Sequence, residues 1–256
     1  MIPSAPPPRN DASPPAPEDP HDRTRLLIGD TALQRLRRAR ILVAGLGGVG
    51  GYAAEALARA GAGTLIVVDA DRFTPSNLNR QILADRNTLG TLKTQAAAQR
   101  CARIDPDIRV EPVTERITPE RAPALFDRCL PLDALIDAID DVQAKVALLA
   151  AAVTRGIFTV SCMGASARWR ISAPRVADLP DTRGCPLARA VRHHLREQGI
   201  DSGITCVFFD TPPDAPPRPV AGGPRSPVGS ICYPPGLIGL TAAGVVIERL
   251  VEPPRC

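Results

Sequence analysis

Residues 41–71, ILVAGLGGVGGYAAEALARAGAGTLIVVDAD, constrain this chain more than any other stretch. A short, branched apolar run at 41–44 suits a buried parallel strand. A glycine cluster follows: Gly45, Gly47, Gly48, Gly50 and Gly51. Residues 52–60 then carry Ala54, Glu55, Leu57 and Ala58 at helical spacing, and Gly61 suits the stop. A second apolar run at 65–68 ends in Asp69. This order predicts a strand, a glycine turn, a helix, a strand and a carboxylate. Glycines let the backbone turn sharply and approach a phosphate closely. The helix they lead into presents free N–H groups and the positive end of its dipole to an anion. Asp69, at the end of the next strand, is placed to accept hydrogen bonds from ribose hydroxyls. Gly45-x-Gly47-x-x-Gly50 therefore predicts nucleotide binding, with NAD the default on this motif alone.

The rest of the chain continues the alternation. Helices are predicted over 91–104, closed by Asp105-Pro106, and after Thr118-Pro119-Glu120, with threonine as N-cap. Strands are predicted over 108–113, 134–139 and 157–162, with a helix over 142–155. Strands alternating with helices give an α/β fold, a Rossmann-like doubly wound, mainly parallel sheet with helices on both faces. Leu26, Leu27, Ala32, Leu33 and Leu36 mark a short helical lead-in.

The second half reads as a less regular C-terminal extension. It holds short strands over 168–172 and 175–179, a basic helix over 185–198, a strand over 205–210 and a closing helix over 236–250. Residues 1–22, rich in proline, alanine and serine, read as a disordered tail. Residues 23–256 read as one domain, interrupted by an exposed loop over 211–227 that holds seven prolines.

Composition narrows the class. Only 3% of residues are aromatic, so small and branched aliphatics must fill the core. A net charge of +4 tolerates a nucleic-acid partner without requiring one. Among 31 basic residues only Lys93 and Lys145 are lysine, which reflects either chance or a need for a compact ammonium. None of the seven cysteines form a Cys-x-x-Cys pair, which argues against a structural zinc ribbon. Reduced thiols and no secretory signal predict a cytoplasmic protein. Residues 236–247, the helical part of the longest uncharged run, are too few to span a bilayer, so no stable membrane insertion is expected.

Downstream of the glycines stand four features that a dehydrogenase does not need. They are Asp69-Ala-Asp71, Asn77-Leu-Asn79-Arg80-Gln81, Gly90-x-x-Lys93 and Asp137-Ala-Ile-Asp140. Taken singly, Arg80 reads as a surface charge, Lys93 as a helix-face lysine and Asp140 as an N-cap. Together around a glycine loop, the amide, the two cations and the added carboxylate suit a triphosphate with magnesium.

In these motifs the chain resembles the ubiquitin-activating-enzyme-like superfamily. That superfamily includes the sulfur-carrier adenylyltransferases of molybdopterin and thiamine synthesis. The resemblance implies an ATP-binding adenylation domain with Gly45, Gly47, Gly48, Gly50, Asp69 and Asp71 at the nucleotide. It places Asn77, Arg80 and Lys93 on the phosphates and Asp140 on magnesium. Arg23 lies where an arginine reaches the neighbouring subunit's ATP, which implies a homodimer. Within the superfamily the chain is most similar to the tRNA threonylcarbamoyladenosine dehydratases over about residues 23–251. The likeness rests on Asp137-Ala-Ile-Asp140 with Lys145, Ser161-Cys-Met-Gly-Ala165, Arg175-Val-Ala-Asp178, Cys185-Pro-Leu-Ala188 with Arg192, and Pro235-Gly-Leu-Ile-Gly239.

What that branch implies is a tRNA substrate and an ATP-dependent cyclisation through an acyl-adenylate. The basic set Arg183, Arg189, Arg192, His193, His194 and Arg196 either meets tRNA phosphates or forms a solvated helix face. Cys185 reads as structural. The alternatives are an activator of a ubiquitin-like sulfur carrier, with sulfur-transfer partner proteins, and a catalytically idle nucleotide-binding scaffold.

Overall fold

The structure is a computed structural model, and it describes residues 19–215 and 228–252. Residues 1–18 of the tail expected over 1–22, and 216–227 of the loop expected over 211–227, lie outside the described residues. Seven strands form one sheet: β1 (Arg40–Ala44), β2 (Thr64–Val68), β3 (Arg109–Val113), β4 (Ala134–Asp137), β5 (Phe158–Cys162), β6 (Arg175–Asp178) and β7 (Thr205–Phe208). Their order is β3-β2-β1-β4-β5-β7-β6. Every pairing is parallel except β6 with β7. The second half thus adds two strands to the same sheet.

Eight helices accompany them among the described residues: α1 (Asp22–Ile28), α2 (Asp30–Arg38), α3 (Gly50–Ala60), α4 (Lys93–Ile104), α5 (Ala122–Cys129), α6 (Val142–Thr154), α7 (Pro186–Arg196) and α8 (Tyr233–Val251). Alternate residues of each central strand face opposite layers. Ile41, Val43, Leu65 and Val67 pack with α3, α4 and α8, whereas Leu42, Ala44, Ile66 and Val68 pack with α5 and α6. A third apolar cluster joins α6 to α7 and β7. The five inner strands pair with neighbours on both sides and are buried on both faces, which is why they read as continuous apolar runs, whereas the edge strands β3 and β6 are partly exposed.

Several boundaries differ from those expected. The lead-in is two helices, because Gly29 (φ +81°) breaks the chain between them. Order begins before residue 23: His21 is buried and bonds Asp105, while Asp19 accepts from Arg25 and Arg37. No helix starts at Thr118, whose hydroxyl donates to the Glu120 carboxylate at 2.7 Å; α5 starts at Ala122. Residues 168–172 form no strand. The closing helix begins at Tyr233, since Pro234 and Pro235 occupy its first turn, where proline is tolerated. With its full 19 residues α8 is long and apolar enough to cross a membrane. It lies instead against α2, α3 and β5.

Candidate nucleotide site

The chain leaves β1 towards β2 and β3 on one side and returns through β4 towards β5 on the other. The crevice at the carboxyl ends of β1 and β4 is therefore the place where an open α/β sheet accepts a ligand. A cavity of about 930 Å³ opens there. Its walls come from the glycine loop, the segments after β2, β3, β4 and β5, Lys93 at the start of α4, and Ser230 and Pro235 near the start of α8.

Close backbone approach explains two of the glycines. A Cβ on Gly50 would lie 1.8 Å from the Gly45 carbonyl oxygen. Gly45 has φ +87°, and a Cβ there would lie 2.9 Å from the Ala138 carbonyl oxygen. Any side chain at either position forces the loop open. Gly47, by contrast, faces open space, with only Gln81 Nε2 at 4.0 Å from a built Cβ. No side chain caps α3, whose N-terminal end borders the cavity, although Gly51 N already donates to Gly47 O at 3.2 Å. Gln81 is buried, lines this wall, and its amide oxygen has no hydrogen-bond partner among the described residues.

Asp69 stands at the tip of β2 with both oxygens engaged. Oδ2 accepts from Leu46 N at 2.7 Å and Oδ1 from Asp71 N at 2.8 Å. The carboxylate thus fixes the glycine loop to the end of β2 and keeps spare lone pairs for a further donor. Lys93 is buried at the first position of α4. Its ammonium lies 2.9 Å from Asp71 Oδ2 and 3.6 Å from Asp69 Oδ2. Asp71 also faces Arg116 at 3.5 Å, so this expected nucleotide ligand is the resting partner of two cations.

Helix α4 is clamped to α3 through buried Glu55, which accepts from Arg59 and Arg100. Burial pushes the Glu55 carboxyl up, and the two guanidiniums outweigh it to hold the group below its ordinary range. Asn77 and Arg80 line the cavity from the loop after β2. Asn77 Oδ1 accepts from Thr74 N at 3.0 Å, and Arg80 Nη1 donates to Ser76 O at 2.8 Å.

The segment after β4 separates two adjacent aspartates by role. Asp141 caps α6, accepting from Ala144 N at 2.9 Å. Asp140 lines the cavity, is exposed, and makes no hydrogen bond or ion pair among the described residues. The N-cap reading therefore belongs to Asp141. Beneath them lies a charged cluster that sequence reasoning did not assemble. Lys145 and Asp137 are both fully buried, with Nζ 2.8 Å from Asp137 Oδ2. Lys145 also donates to Ile139 O at 2.9 Å, and Ser161 Oγ donates to Asp137 Oδ2 at 2.7 Å. Glu115, Arg116 and Thr118, after β3, are further cavity residues the motifs did not mark.

Other expected residues sit elsewhere. Arg23 does not line this chain's cavity. It is on α1, held at the opposite end of the sheet where His21 meets Asp105 and Gly61. On α7, Arg192 turns inward to Thr182 O at 2.8 Å, and both histidines face Glu197. Arg183 and Arg189 stay exposed, with no side-chain partner among the described residues. Cys185 is buried and its Sγ accepts from Gly164 N at 3.4 Å, a structural use. Burial pushes the Cys162 thiol, in the cavity wall, up to about 12.

A parallel sheet with a glycine loop at its switch point, ringed by cations and carboxylates, defines an α/β nucleotide-binding protein. The family model described as "ThiF family" matches residues 21–247. The chain belongs to the ThiF family. It is 33% identical over 240 residues to the tRNA threonylcarbamoyladenosine dehydratase of Bacillus subtilis, covering 90% of this chain and 94% of that one. Its fold matches the crystal structure of Escherichia coli tRNA N6-threonylcarbamoyladenosine dehydratase in complex with AMP, at TM-score 0.81 and 32% identity over 89% of this chain and 92% of that one. The same enzyme in complex with ATP matches at TM-score 0.78 and 32% identity, over 89% and 91%.

Proposed function

We propose that this chain is an ATP-dependent tRNA threonylcarbamoyladenosine dehydratase. One observation carries the reading: a single cavity joins the glycine loop, Asp69, Lys93, Arg80 and Asp140, and leaves a wall beyond β5 for a second substrate. The carboxylate of the threonylcarbamoyl group attacks the α-phosphorus of ATP, and pyrophosphate leaves. A nucleophile of the same modified adenosine then closes on the activated carbonyl and expels AMP. The oxygen lost as water overall departs in AMP.

Such chemistry asks the protein for positioning and charge neutralisation more than for a nucleophile. The glycine loop and the start of α3 hold phosphate oxygens, and Asp69 holds the ribose. Asn77 orients the phosphates beside them. Lys93 exchanges Asp71 for a phosphate oxygen, and Arg80 balances charge that builds on the leaving group.

Asp140 fits magnesium, since it offers a hard oxygen donor with no competing bond inside the cavity. Bound there, the ion neutralises phosphate charge. We further propose a homodimer in which Arg23, exposed and without a partner among the described residues, serves the other subunit's site. On the same reading the protein is cytoplasmic.

The test is mass spectrometry of nucleosides from tRNA carrying threonylcarbamoyladenosine, after incubation with the protein, ATP and magnesium. Loss of one water only when ATP is present is the expected result. An unchanged nucleoside with a folded, ATP-binding protein would favour the sulfur-carrier activator or the idle scaffold. For the dimer, mixing the inactive variants Arg23→Ala and Lys93→Ala restores part of the turnover, because one hybrid site is intact. No recovery on mixing removes Arg23 from the neighbouring site.

A further inference from the structure

The cavity wall beyond β5 runs through Ser166, with Leu187 and Ser230 beside it, away from the glycine loop. From Ser166 the chain climbs to the rim through Ala167, whose φ of 58° is a left-handed conformation uncommon for alanine. That turn is held on both sides. Ala167 N donates to Gly229 O at 2.7 Å, and its carbonyl accepts from Asp214 N at 2.8 Å. Asp214 Oδ2 accepts from the backbone N–H groups of Trp169 (2.7 Å) and Arg170 (2.9 Å), which keep its carboxyl below the ordinary range. The Tyr233 hydroxyl donates to Trp169 O. Underneath, buried Arg168 donates to Thr211 O and Pro212 O, with its guanidinium 5.0 Å from the Phe209 ring. The first residues of the proline-rich loop are therefore tied down as a base for this segment.

What this framework presents is the chain's one tryptophan, 59% exposed. Arg170 lies over its ring at 5.3 Å, with the Asp214 carboxylate as its near counter-charge. Arg183, exposed and with no side-chain partner among the described residues, belongs to the next wall, where Gly184 packs on the Asp210 backbone just before Thr211. An indole held open to solvent by several backbone bonds, with an arginine stacked on it, has the chemistry of a base-stacking surface.

Resting on the dehydratase reading, we propose that Trp169 is a stacking platform for an unpaired nucleobase beside the modified adenosine of the RNA substrate. Arg170 and Arg183 meet the flanking phosphates. A base that enters the cavity must leave its stack, and its neighbour then exposes a face at the rim. Arg183, with no carboxylate partner among the described residues, and Arg170 on the indole favour a polyanion there over a second copy of this chain.

The sole tryptophan is its own reporter. Titrating the full-length protein with an unmodified synthetic RNA stem–loop that carries an unpaired adenosine in its loop quenches its fluorescence saturably. Trp169→Ala weakens the affinity for that RNA, read by anisotropy of a labelled strand, by about five- to a hundred-fold. Its circular dichroism and ATP affinity stay at wild-type values, and Trp169→Phe recovers most of the loss. Three results would overturn the platform: RNA binding without quenching, unchanged affinity in Trp169→Ala, or a dimer that becomes a monomer in that variant. A wild-type protein that leaves threonylcarbamoyladenosine intact with ATP defeats the underlying reading instead, whereas failure of the platform alone leaves that dehydration in place.

Discussion

The two lysines of this chain occupy matching positions in the two halves of the sheet and do opposite work. Lys93 opens α4 and faces aspartates beyond the end of β2; Lys145 sits in α6 and faces the aspartate that ends β4. Lys93 looks into the cavity, and its nearest partner, Asp71, is half exposed and shared with Arg116. On the proposed reading, this shared contact is the one a phosphate replaces. Lys145 is sealed, and its partner Asp137 is already saturated by Ser161 Oγ and Ile139 N. A buried ion pair recovers little net stability against its desolvation cost. Its use here is geometric: Asp137 and Lys145 hold the N–H and the carbonyl of Ile139, one residue before Asp140. The two lysines differ in enclosure: Lys93 is buried but opens onto the cavity, and Lys145 is sealed.

That contrast is open to experiment, and Lys145 carries the largest effect. Lys145→Met leaves Asp137 buried and uncompensated and destabilises the fold by about 3–5 kcal/mol, read by chemical denaturation. Adding Asp137→Asn recovers most of that loss. A single variant as stable as the wild type would show that the cluster is not a strut.

Next comes Lys93. Lys93→Ala keeps its melting temperature and loses about 10²–10³ in turnover, the range for removing one preorganised charge-stabilising donor. Lys93→Arg is impaired too, because a planar fork replaces a point charge. Normal turnover in Lys93→Arg would erase the distinction drawn for this residue.

The adjacent aspartates sharpen the comparison at smaller scale. Asp140→Asn loses turnover and needs more magnesium, with stability unchanged. Asp141→Ala costs about 1 kcal/mol of stability through its lost cap and keeps the magnesium response. Swapped results would exchange the two assignments.

The last test is alkaline. Burial holds the Cys101 and Cys162 thiols up at about 12 against an ordinary 9.0. Below pH 9 both states are protonated and the contribution is complete. Between pH 9 and 12 the unfolded chain ionises first, so stability falls as pH rises. Denaturation curves over that range should flatten partly in Cys162→Ala; an unchanged slope means the thiol does not contribute.

How much of this was legible in the sequence depends on range. The first βαβ unit was, because glycine spacing and apolar runs are local, and Gly50 against the Gly45 carbonyl shows why no other residue serves. Asp140, read from its motif as a magnesium ligand, lines the same cavity as the glycine loop. The Asp137–Lys145–Ser161 cluster was not assembled, since β4 and β5 bring together residues far apart in sequence. Thr118 failed as a cap because a nearer carboxylate, Glu120, took its hydroxyl. The expected strand at 168–172 failed because Arg168 turns inward and Ala167 adopts a left-handed turn. Arg192 left the expected RNA-facing set for backbone carbonyls that only tertiary contact supplies.

Helix α8 braces the glycine loop from the far end of the chain. A Cβ on Gly239 would lie 2.3 Å from Val49 O, and Pro235 lies 3.3 Å from where a Gly48 side chain would start. The phosphate loop is made early in translation and its brace almost two hundred residues later. A nascent chain therefore emerges with its nucleotide motif complete and its nucleotide site unfinished. The shape of the loop is thus set in part by contacts that the residues around the glycines do not themselves supply.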